Sequence, residues 1–242
     1  MQELVSCIMA TRDRPRFFRQ ALRYFLRQTY KRTELVVVDD GERSVEKLCS
    51  GAPRVRYIRL TRPTLTGTKL NIGIELARGA ILQRLDDDDY YHPDFVKAAV
   101  AHLLAKGRER YVAAWDCFLV LLAGEKQVRY TGHGWRAGGT LCFSRELWER
   151  APFRDIPTGM DSWFLQDHRH RVAPVEAQEL YVLVRHGRNT WRAMHDGKAA
   201  DDYFRRLPVY RKPLAALVDR RDCGFYERLA YQKRAATRDA RD

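Results

Sequence analysis

The sequence predicts an α/β fold in which a mostly parallel sheet is flanked by helices. Short apolar runs typical of buried strands alternate with segments whose apolar residues recur at helical spacing. A strand, a helix and a second strand in succession favour parallel pairing, because parallel neighbours need a long crossover connection. Two of the predicted strands also end in acidic clusters, and ligands bind at the carboxyl edge of such a sheet.

The first half of the chain alternates strand and helix regularly. Residues 4–9 form an apolar run typical of a buried strand. Pro15 suits the first turn of the helix that follows, with Thr11 or Asp13 near its cap. The same patterns predict the other elements of this half, which are a helix at 16–29, strands at 34–38, 55–60 and 80–85, and helices at 69–77 and 93–105.

The second half is less regular. A glycine-rich stretch at Gly132–Gly139 predicts a loop, and the chain from residue 199 is basic, amphipathic and helical in its spacing, with a charged tail at its end. The remaining elements predicted here are one or two strands within 111–122, helices at Ser144–Arg150 and Asp161–His168, and a strand at Tyr181–Val184.

The composition excludes several classes of protein. Hydrophobic residues make up 45%, too many for a disordered chain, and the five scattered cysteines without a Cys-x-x-Cys pair argue against a disulfide framework or zinc knuckle. The most apolar stretch, Tyr111–Gly124, is interrupted by Asp116 and is too short to span a bilayer. Without a signal-peptide pattern at the start, we expect a cytoplasmic protein, with peripheral contact at the inner face of a membrane left open.

The charge is the unusual feature of the composition. The 242 residues carry 44 Lys and Arg against 31 Asp and Glu, a formal net charge of +13. This excess indicates an anionic partner, which can be nucleic acid, an acidic membrane surface or a phosphorylated substrate. Arg16, Arg19, Arg23 and Arg27 share one side of the first predicted helix, either as a solvated face or as a track for an anionic acceptor.

Acidic residues cluster after two neighbouring strands. Asp86–Asp89 are four adjacent carboxylates that repel one another, which indicates a cation beside them, most simply a divalent metal. The alternative is a solvated acidic turn. Hard oxygen ligands suit Mg²⁺ or Mn²⁺, which commonly also hold substrate phosphates. Asp39 and Asp40 end the neighbouring strand, either as a turn cluster or as acceptors for a nucleotide base or ribose.

Four segments of the chain, spread over residues 4–192, resemble glycosyltransferases of family 2, which have the GT-A fold. The segments are VSCIMATRDRPRFFRQALRYFLRQTYKRTELVVVDDG, KLNIGIELARGAILQRLDDDDYYHPDFV, TLCFSRELWERAPFRDIPTGMDSWFLQD and VLVRHGRNTW. The resemblance implies a GT-A domain over 1–198, with a nucleotide-binding half (1–110) and an acceptor-binding half (111–198), and a basic helical C-terminal extension over 199–242.

The resemblance also implies where the nucleotide of the donor binds. Thr11 and Arg12 would line the base, and Asp40 would contact the base or ribose. Asn71 matches an asparagine beside the nucleotide loop. Leu70 stands where the family has an arginine, and Lys69 or Arg188 would supply the missing charge. Both residues are also candidates for contact with the acceptor or the sugar.

The acidic motif of the family corresponds to Asp86, Asp87 and Asp88. Asp86 or Asp87 would contact the ribose, and Asp88 would ligate Mn²⁺ or Mg²⁺ between the two phosphates. His186, in the segment RHGRNT, would complete the metal shell or touch the diphosphate, and Asp89 would support the loop.

Inverting members of the family carry a Glu-Asp pair whose aspartate is the general base. Here Met160 replaces the glutamate and Asp161 is kept, so Asp161 would deprotonate the acceptor hydroxyl. Taken by itself, Asp161 reads as a helix N-cap. Trp135, in the glycine-rich loop, would stack on a sugar ring or serve packing alone.

These features predict an inverting, metal-dependent glycosyltransferase with a nucleotide-sugar donor, for which we expect a UDP-sugar. The acceptor would be an anionic or membrane-associated glycan or lipid, with the basic C-terminal region as a peripheral anchor. The alternatives are transfer to a hydroxylated base of DNA, a nucleotidyltransferase, and a non-catalytic module that binds nucleotide sugars or nucleic acid. No glycine-rich, basic loop follows the first strand, which argues against the nucleotidyltransferase, and the intact Asp88 and Asp161 argue against the non-catalytic module.

Overall fold

The structure is a computed structural model that describes residues 2–194 and 197–230. Its strands are β1 (Val5–Thr11), β2 (Thr33–Asp39), β3 (Val55–Arg59), β4 (Ile81–Arg84), β5 (Tyr90–Tyr91), β6 (Val112–Trp115), β7 (Leu119–Leu122), β8 (Val128–Tyr130), β9 (Cys142–Ser144), β10 (Val172–Val175) and β11 (Tyr181–Arg185). Its α-helices are α1 (Pro15–Leu26), α2 (Glu46–Cys49), α3 (Thr66–Leu76), α4 (Phe95–Lys106), α5 (Arg145–Arg150), α6 (Met160–Asp167), α7 (Ala200–Arg205), α8 (Leu214–Leu217) and α9 (Arg220–Glu227).

A seven-stranded sheet forms the centre of the molecule, in the order β10-β6-β9-β4-β1-β2-β3. Every neighbouring pair is parallel except the two that involve β9, which runs antiparallel to both β4 and β6. The predicted α/β fold with a mostly parallel sheet is therefore confirmed. Both faces of β1 and β2 are covered, which explains why these strands read as continuous apolar runs.

Register in this sheet brings the acidic strand ends together. Thr11 at the end of β1 lies opposite Asp39 at the end of β2, and Ile8 lies opposite Arg84 at the end of β4. The residues that follow these strands therefore emerge at one carboxyl edge, side by side. The sequence-based expectation that the two acidic clusters share one edge is confirmed.

A second, four-stranded sheet with the order β5-β11-β7-β8 was not predicted. Its strand β5 is only two residues long, follows directly after Asp89, and pairs antiparallel with β11. This pairing connects the loop after β4 to the segment that follows β11. A two-residue strand has too few residues to show an alternating pattern, so sequence reasoning had no signal for it.

Helix α1 differs from its prediction in two respects. Arg14 occupies the N-cap position without a side-chain cap, so neither Thr11 nor Asp13 caps the helix. Its arginines are also neither a purely solvated face nor an open track. Arg27 Nη1 lies 2.5 Å from Asp222 Oδ2, and Arg23 Nη2 lies 3.3 Å from Asp222 Oδ1.

The described C-terminal helices pack against the core that also contains the central sheet. Buried side chains of all three helices belong to that core, and the Tyr226 hydroxyl lies 2.5 Å from the Tyr24 hydroxyl of α1. Arg205 pairs with Glu125 and Asp202. The charged tail that ends the predicted extension lies outside the described residues. Within residues 2–194 and 197–230, no helix is both long and apolar enough to cross a bilayer.

We expect Asp222→Ala to lower the free energy of unfolding by about 3 kcal/mol, because it leaves the guanidinium of Arg27 without its buried counter-charge. Urea unfolding followed by circular dichroism measures the change. Arg19→Ala removes an exposed charge from the same helix and serves as the control, with a change below about 0.5 kcal/mol. Equal stabilities of the two variants would contradict the role given to Asp222.

Candidate active site

The four carboxylates after β4 have different sets of partners, although Asp87 and Asp88 share Arg14. The Asp87 carboxylate accepts a hydrogen bond from Thr11 Oγ1 at 2.6 Å and one from Arg14 Nη1 at 2.9 Å. The same Arg14 nitrogen donates to Asp88 Oδ2 at 2.6 Å. The cation that the sequence indicated beside this cluster is therefore in part an arginine of the chain itself.

Asp88 also contacts the segment after β11. His186 Nε2 lies 3.0 Å from Asp88 Oδ2, and Asn189 Nδ2 donates to the same oxygen at 3.3 Å. Asn189 additionally accepts a hydrogen bond from the His186 backbone N–H at 2.9 Å, which fixes the turn that presents the imidazole. The ring of Phe17 packs on the His186 ring at 4.4 Å between centroids.

Asp86 is bonded by Arg84, and the same arginine also lies near Asp161 at the start of α6. The Arg84 guanidinium donates to both Asp86 oxygens, Nε to Oδ1 at 3.0 Å and Nη2 to Oδ2 at 3.1 Å. Its Nη1 lies 3.5 Å from Asp161 Oδ2. Burial alone would lower the pKa of Arg84, but the charges of Asp86 and Asp161 raise it above its ordinary value. Arg84 thus joins the acidic motif to the predicted general base.

The glycine-rich loop passes directly over these two carboxylates. A Cβ atom added to Gly138 would lie 1.8 Å from Asp161 Oδ2, and one added to Gly139 would lie 2.8 Å from Asp86 Oδ2. Any side chain at these positions would therefore displace Asp161 or Asp86. Asp161 itself stands in the first turn of α6, whose N-cap is Gly159, so its default reading as the N-cap does not hold.

The fourth carboxylate, Asp89, points into the protein. It is 2% exposed, Tyr181 Oη lies 2.5 Å from its Oδ2, and the Val184 backbone N–H donates to its Oδ1 at 2.9 Å. Burial, with the charges of Asp88 and Asp86, raises the pKa of Asp89 well above its ordinary value. This carboxyl connects the end of β4 to β11, as the predicted supporting role requires.

Burial and charge move the pKa values of the other two central aspartates in opposite directions. Burial raises the pKa of Asp87 to about 6. Burial alone would also raise the pKa of Asp88, but the charge of Arg14 and the hydrogen bond to His186 outweigh it and lower the pKa to about 2. Asp88 therefore stays ionised at a lower pH than Asp87 does.

Asp40, which follows β2, lies with Lys69 at the same edge of the sheet. The two acidic strands were predicted to be neighbours, but β1 lies between β4 and β2. Lys69 Nζ donates to Asp40 Oδ1 at 2.6 Å and to the Thr11 carbonyl at 3.2 Å, and the Thr64 N–H donates to Asp40 Oδ2 at 2.7 Å. All three of Thr11, Asp40 and Lys69 are buried at the edge where the nucleotide was expected.

Three predicted site residues are not brought to the carboxylate cluster. The Arg12 side chain is half exposed, with Asp13 3.9 Å away as its ion-pair partner. Asn71 is committed to the segment after α5, because its amide bonds the Phe153 backbone and accepts from Trp148 Nε1. Trp135 packs in an aromatic cluster that also contains Trp191, Tyr203 and Phe204.

Arg188, by contrast, lines a cavity of about 250 Å³ beside His186. The cavity lies between the start of α1 and the end of α9, and Phe17 and Asp13 also line it. Four further arginines surround it, which are Arg14, Arg16, Arg43 and Arg228. This concentration of guanidinium groups next to Asp88 suits an anionic ligand such as a diphosphate.

Sequence reasoning missed three residues of this site, namely Arg14, Arg84 and Asn189. A signal existed for each of them. Arg14 directly precedes the proline that opens α1. Arg84 is a charged residue inside a strand that is otherwise buried. Asn189 follows His186 by three residues within the quoted segment RHGRNT.

Asp88 and His186 fit a divalent metal as a two-residue platform. A carboxylate oxygen and an imidazole nitrogen within 3.0 Å of each other are both suitable ligands, and Mg²⁺ sites commonly use one or two carboxylates with substrate phosphates. Arg14 would have to release Asp88 Oδ2 for such an ion. A group of three potential ligands occurs elsewhere in the described part of the chain, at Asp116, His133 and Glu176.

Comparisons with known proteins identify the family and the fold of the chain. Residues 6–129, just over half of the chain, match the family model described as Glycosyl transferase family 2. The chain belongs to glycosyl transferase family 2. The matched residues extend from β1 to β8 and include the acidic cluster.

Curated relatives match over less than half of the chain. A putative colanic acid biosynthesis glycosyl transferase, WcaA of Escherichia coli K12, is 32% identical over 104 residues, which are 41% of this chain and 37% of the relative. A glycosyltransferase of Rickettsia bellii is 33% identical over 98 residues, 39% of this chain and 14% of the relative. The matched regions thus span 37% of the first relative and 14% of the second.

Solved structures confirm the GT-A fold. The mannosyltransferase PcManGT of Pyrobaculum calidifontis, in complex with GDP-Man and Mn²⁺, superposes with a TM-score of 0.59 at 17% identity, covering 76% of this chain and 57% of that one. TarS 1–349 of S. aureus, in complex with UDP-GlcNAc, superposes with a TM-score of 0.57 at 16% identity, covering 75% and 58%. At these identities the likeness concerns the fold.

We expect Asp89→Asn to remove a pH dependence of stability. In the folded protein the raised pKa keeps the proton on Asp89, whereas the unfolded chain releases it near pH 4, so the free energy of unfolding falls as the pH rises above about 4. Asparagine keeps a partner for Tyr181 and for the Val184 N–H without ionising. Urea unfolding at pH 5 and pH 8 should show a smaller decrease for the variant.

Asp89→Leu is the matched control, because it keeps a similar volume but loses both hydrogen bonds. We expect it to be less stable than Asp89→Asn by about 2 kcal/mol at either pH. An identical pH slope in the wild type and Asp89→Asn would show that Asp89 ionises normally.

Proposed function

We propose that the protein transfers a sugar, with inversion, from a nucleotide-diphosphate sugar to an acceptor hydroxyl, and that a divalent metal assists. The single observation that supports this most strongly is the arrangement around Asp88. Its ionised carboxylate faces His186 beside an arginine-lined cavity, and Arg84 connects the same motif to Asp161. The site therefore combines a metal platform, anion-binding groups and a base.

The donor would extend along the carboxyl edge of the sheet. Asp40 and Lys69 lie at the end where the base and ribose are expected, and Asp86 or Asp87 would contact the ribose. The diphosphate would then reach Asp88, with Arg14 and Arg188 able to bind its oxygens. The solved neighbours support a sugar nucleotide as donor, since one holds GDP-Man and another UDP-GlcNAc. The sequence-based expectation of a UDP-sugar remains the proposal for this chain.

Chemically, the acceptor oxygen attacks the anomeric carbon while the bond from that carbon to the diphosphate oxygen breaks. Asp161 takes the proton of the attacking hydroxyl, and Arg84 holds the Asp161 carboxylate in place over the motif. Asp88 and His186 would hold Mn²⁺ or Mg²⁺, which as a Lewis acid offsets the charge of the leaving nucleoside diphosphate. Arg14 exchanges its contact with Asp88 for one with the diphosphate.

For the acceptor, we propose a glycan rather than a nucleic-acid base. One relative, WcaA, is named as a putative glycosyl transferase of colanic acid biosynthesis, which supports a glycan as acceptor. The DNA alternative relied on the arginines of α1 and the C-terminal region as phosphate contacts. Arg23, Arg27, Arg205 and Lys212 are each paired with a carboxylate of the protein, which weakens that alternative and the membrane-anchor proposal equally.

We expect release of nucleoside diphosphate from the donor sugar to depend on a divalent metal and on Asp88. A chelator, or Asp88→Asn, should reduce the rate by at least about a hundredfold, because both remove the positive charge that balances the leaving group. A panel of UDP- and GDP-sugars, assayed by mass spectrometry with Mn²⁺ or Mg²⁺, provides the measurement. A rate unchanged by chelator would disprove the metal assignment.

Asp161→Asn should lower transfer about 10²- to 10⁴-fold while leaving donor affinity within about twofold, because it removes the general base without touching the nucleotide edge. Calorimetric titration with donor and a single-turnover assay separate binding from chemistry. Ser162→Ala, on the next residue, is the matched control and should retain transfer. Full turnover by Asp161→Asn would place the base elsewhere.

A further inference from the structure

The sequence analysis placed the excess positive charge on α1 and the C-terminal region. The structure shows a further concentration of arginines at another place. An open groove of about 690 Å³ runs between the end of α5 and the end of α6. We call it the α6 groove, and its lining includes Arg150, Arg154, Trp163, Asp167 and residues 168–171. It carries four arginines against one aspartate, and the residues of the carboxylate cluster do not line it.

Most of the charge in the α6 groove is not neutralised by the protein. Arg154 pairs with Asp167, Nη2 to Oδ1 at 2.6 Å. Among the ion pairs of residues 2–194 and 197–230, by contrast, none involves Arg150, Arg169 or Arg171. Like charges held together on a surface cost free energy unless a ligand balances them, so this groove is suited to an anionic ligand.

An exposed tryptophan gives the α6 groove a second property. The Trp163 side chain is 46% exposed, and the Arg154 guanidinium lies over its ring at 4.2 Å from the centroid. The arginine is thus held in place by Asp167 and Trp163 together. His168 also lines the groove but is only 5% exposed. A flat apolar ring beside fixed guanidinium groups suits a ligand with apolar faces and acidic groups.

The α6 groove and the proposed general base Asp161 lie on different sides of α6. Trp163, Gln166 and Asp167 share one side of the helix at i, i+3 and i+4 spacing. Asp161 precedes Trp163 by two residues, which is about 200° around the helix. A ligand in the α6 groove therefore lies on the side of the helix away from Asp161, and a chain that occupies both places must pass around the helix.

We propose that the α6 groove binds an anionic segment of a saccharide acceptor, several sugar units away from the hydroxyl that reacts. The inference rests on the proposed function for its link to transfer. Uronate or phosphate groups would pair with Arg150, Arg169 and Arg171, and a pyranose ring would stack on Trp163. The groove thus acts as a remote subsite for acidic, polymeric acceptors.

Two other anionic partners fit the groove less well. Single-stranded nucleic acids are usually bound by several aromatic side chains on which successive bases stack. Among the described residues that line the groove, Trp163 is the only large exposed aromatic one. A membrane surface calls for an exposed apolar face that can enter the lipid boundary. The other large exposed hydrophobic residues of the described chain lie outside the groove, namely Leu65, Leu76, Leu104, Trp191 and Val209.

The test measures binding of a linear hexamer of galacturonic acid to the full chain by isothermal titration calorimetry, with chelator and without donor. We expect binding that weakens with salt, and little or none of a neutral maltohexaose. Arg169→Gln combined with Arg171→Gln should weaken binding of the hexamer about tenfold, and Trp163→Ala about fivefold. Arg19→Gln combined with Lys97→Gln removes two exposed charges from α1 and α4 and should change it less than twofold.

Several results would overturn the proposal. They are absence of binding of the uronate chain, unchanged binding by the groove variants, and tighter binding of a twelve-residue thymidine strand or of anionic phosphatidylglycerol vesicles that the same variants abolish. Because the titration needs neither donor nor metal, it is independent of the proposed transfer reaction. Donor cleavage assayed in parallel should be unaffected in the groove variants, so failure of the groove and failure of the transferase proposal give different results.

Discussion

The structure of the candidate site depends on keeping four adjacent aspartates from repelling one another. Their partners differ: Asp86 contacts Arg84, Asp87 contacts Thr11 and Arg14, Asp88 contacts His186 and the same Arg14, and Asp89 contacts Tyr181. These partners lie in β1, β4 and β11 and in the segments that follow β1 and β11, so the cluster joins these parts of the chain. Only Asp88 combines a lowered pKa with a neighbouring imidazole, which distinguishes it within a run of identical residues.

The fold could be predicted where local pattern and tertiary structure agree. Continuous apolar runs identified β1, β2 and β4, and their acidic ends identified the functional edge, because both follow from burial in a parallel sheet. The two-residue β5 and the second sheet could not be predicted. They depend on pairing between strands far apart in sequence, such as β5 with β11, which the contacts of Asp89 with Tyr181 and Val184 accompany and which no local pattern records.

The candidate site was likewise predictable only in part. A family resemblance identified Asp88, His186 and Asp161 as candidate site residues, whereas their connection through Arg14 and Arg84 is visible only in the three-dimensional structure. Net charge was the weakest guide. It counts Arg23 and Arg27 equally with Arg169 and Arg171, yet the first pair is matched by Asp222 inside the protein and the second pair lies in an open groove. Location, which composition omits, decides what a charge can bind.

The contact between α1 and α9 has a consequence for biosynthesis. Gln20 and Asp222 are hydrogen-bonded across 202 positions of sequence, and the Tyr24–Tyr226 contact spans the same interval. A ribosome adding about 5–20 residues per second therefore exposes the arginine-bearing side of α1 for roughly 10–40 s before its acidic partner emerges. During that interval the strands of the nucleotide edge can pair, but the helix beside them stays without its counter-charge. Docking of α9 on α1 then supplies both the counter-charge and, through Arg228 and Leu229, one wall of the cavity beside His186.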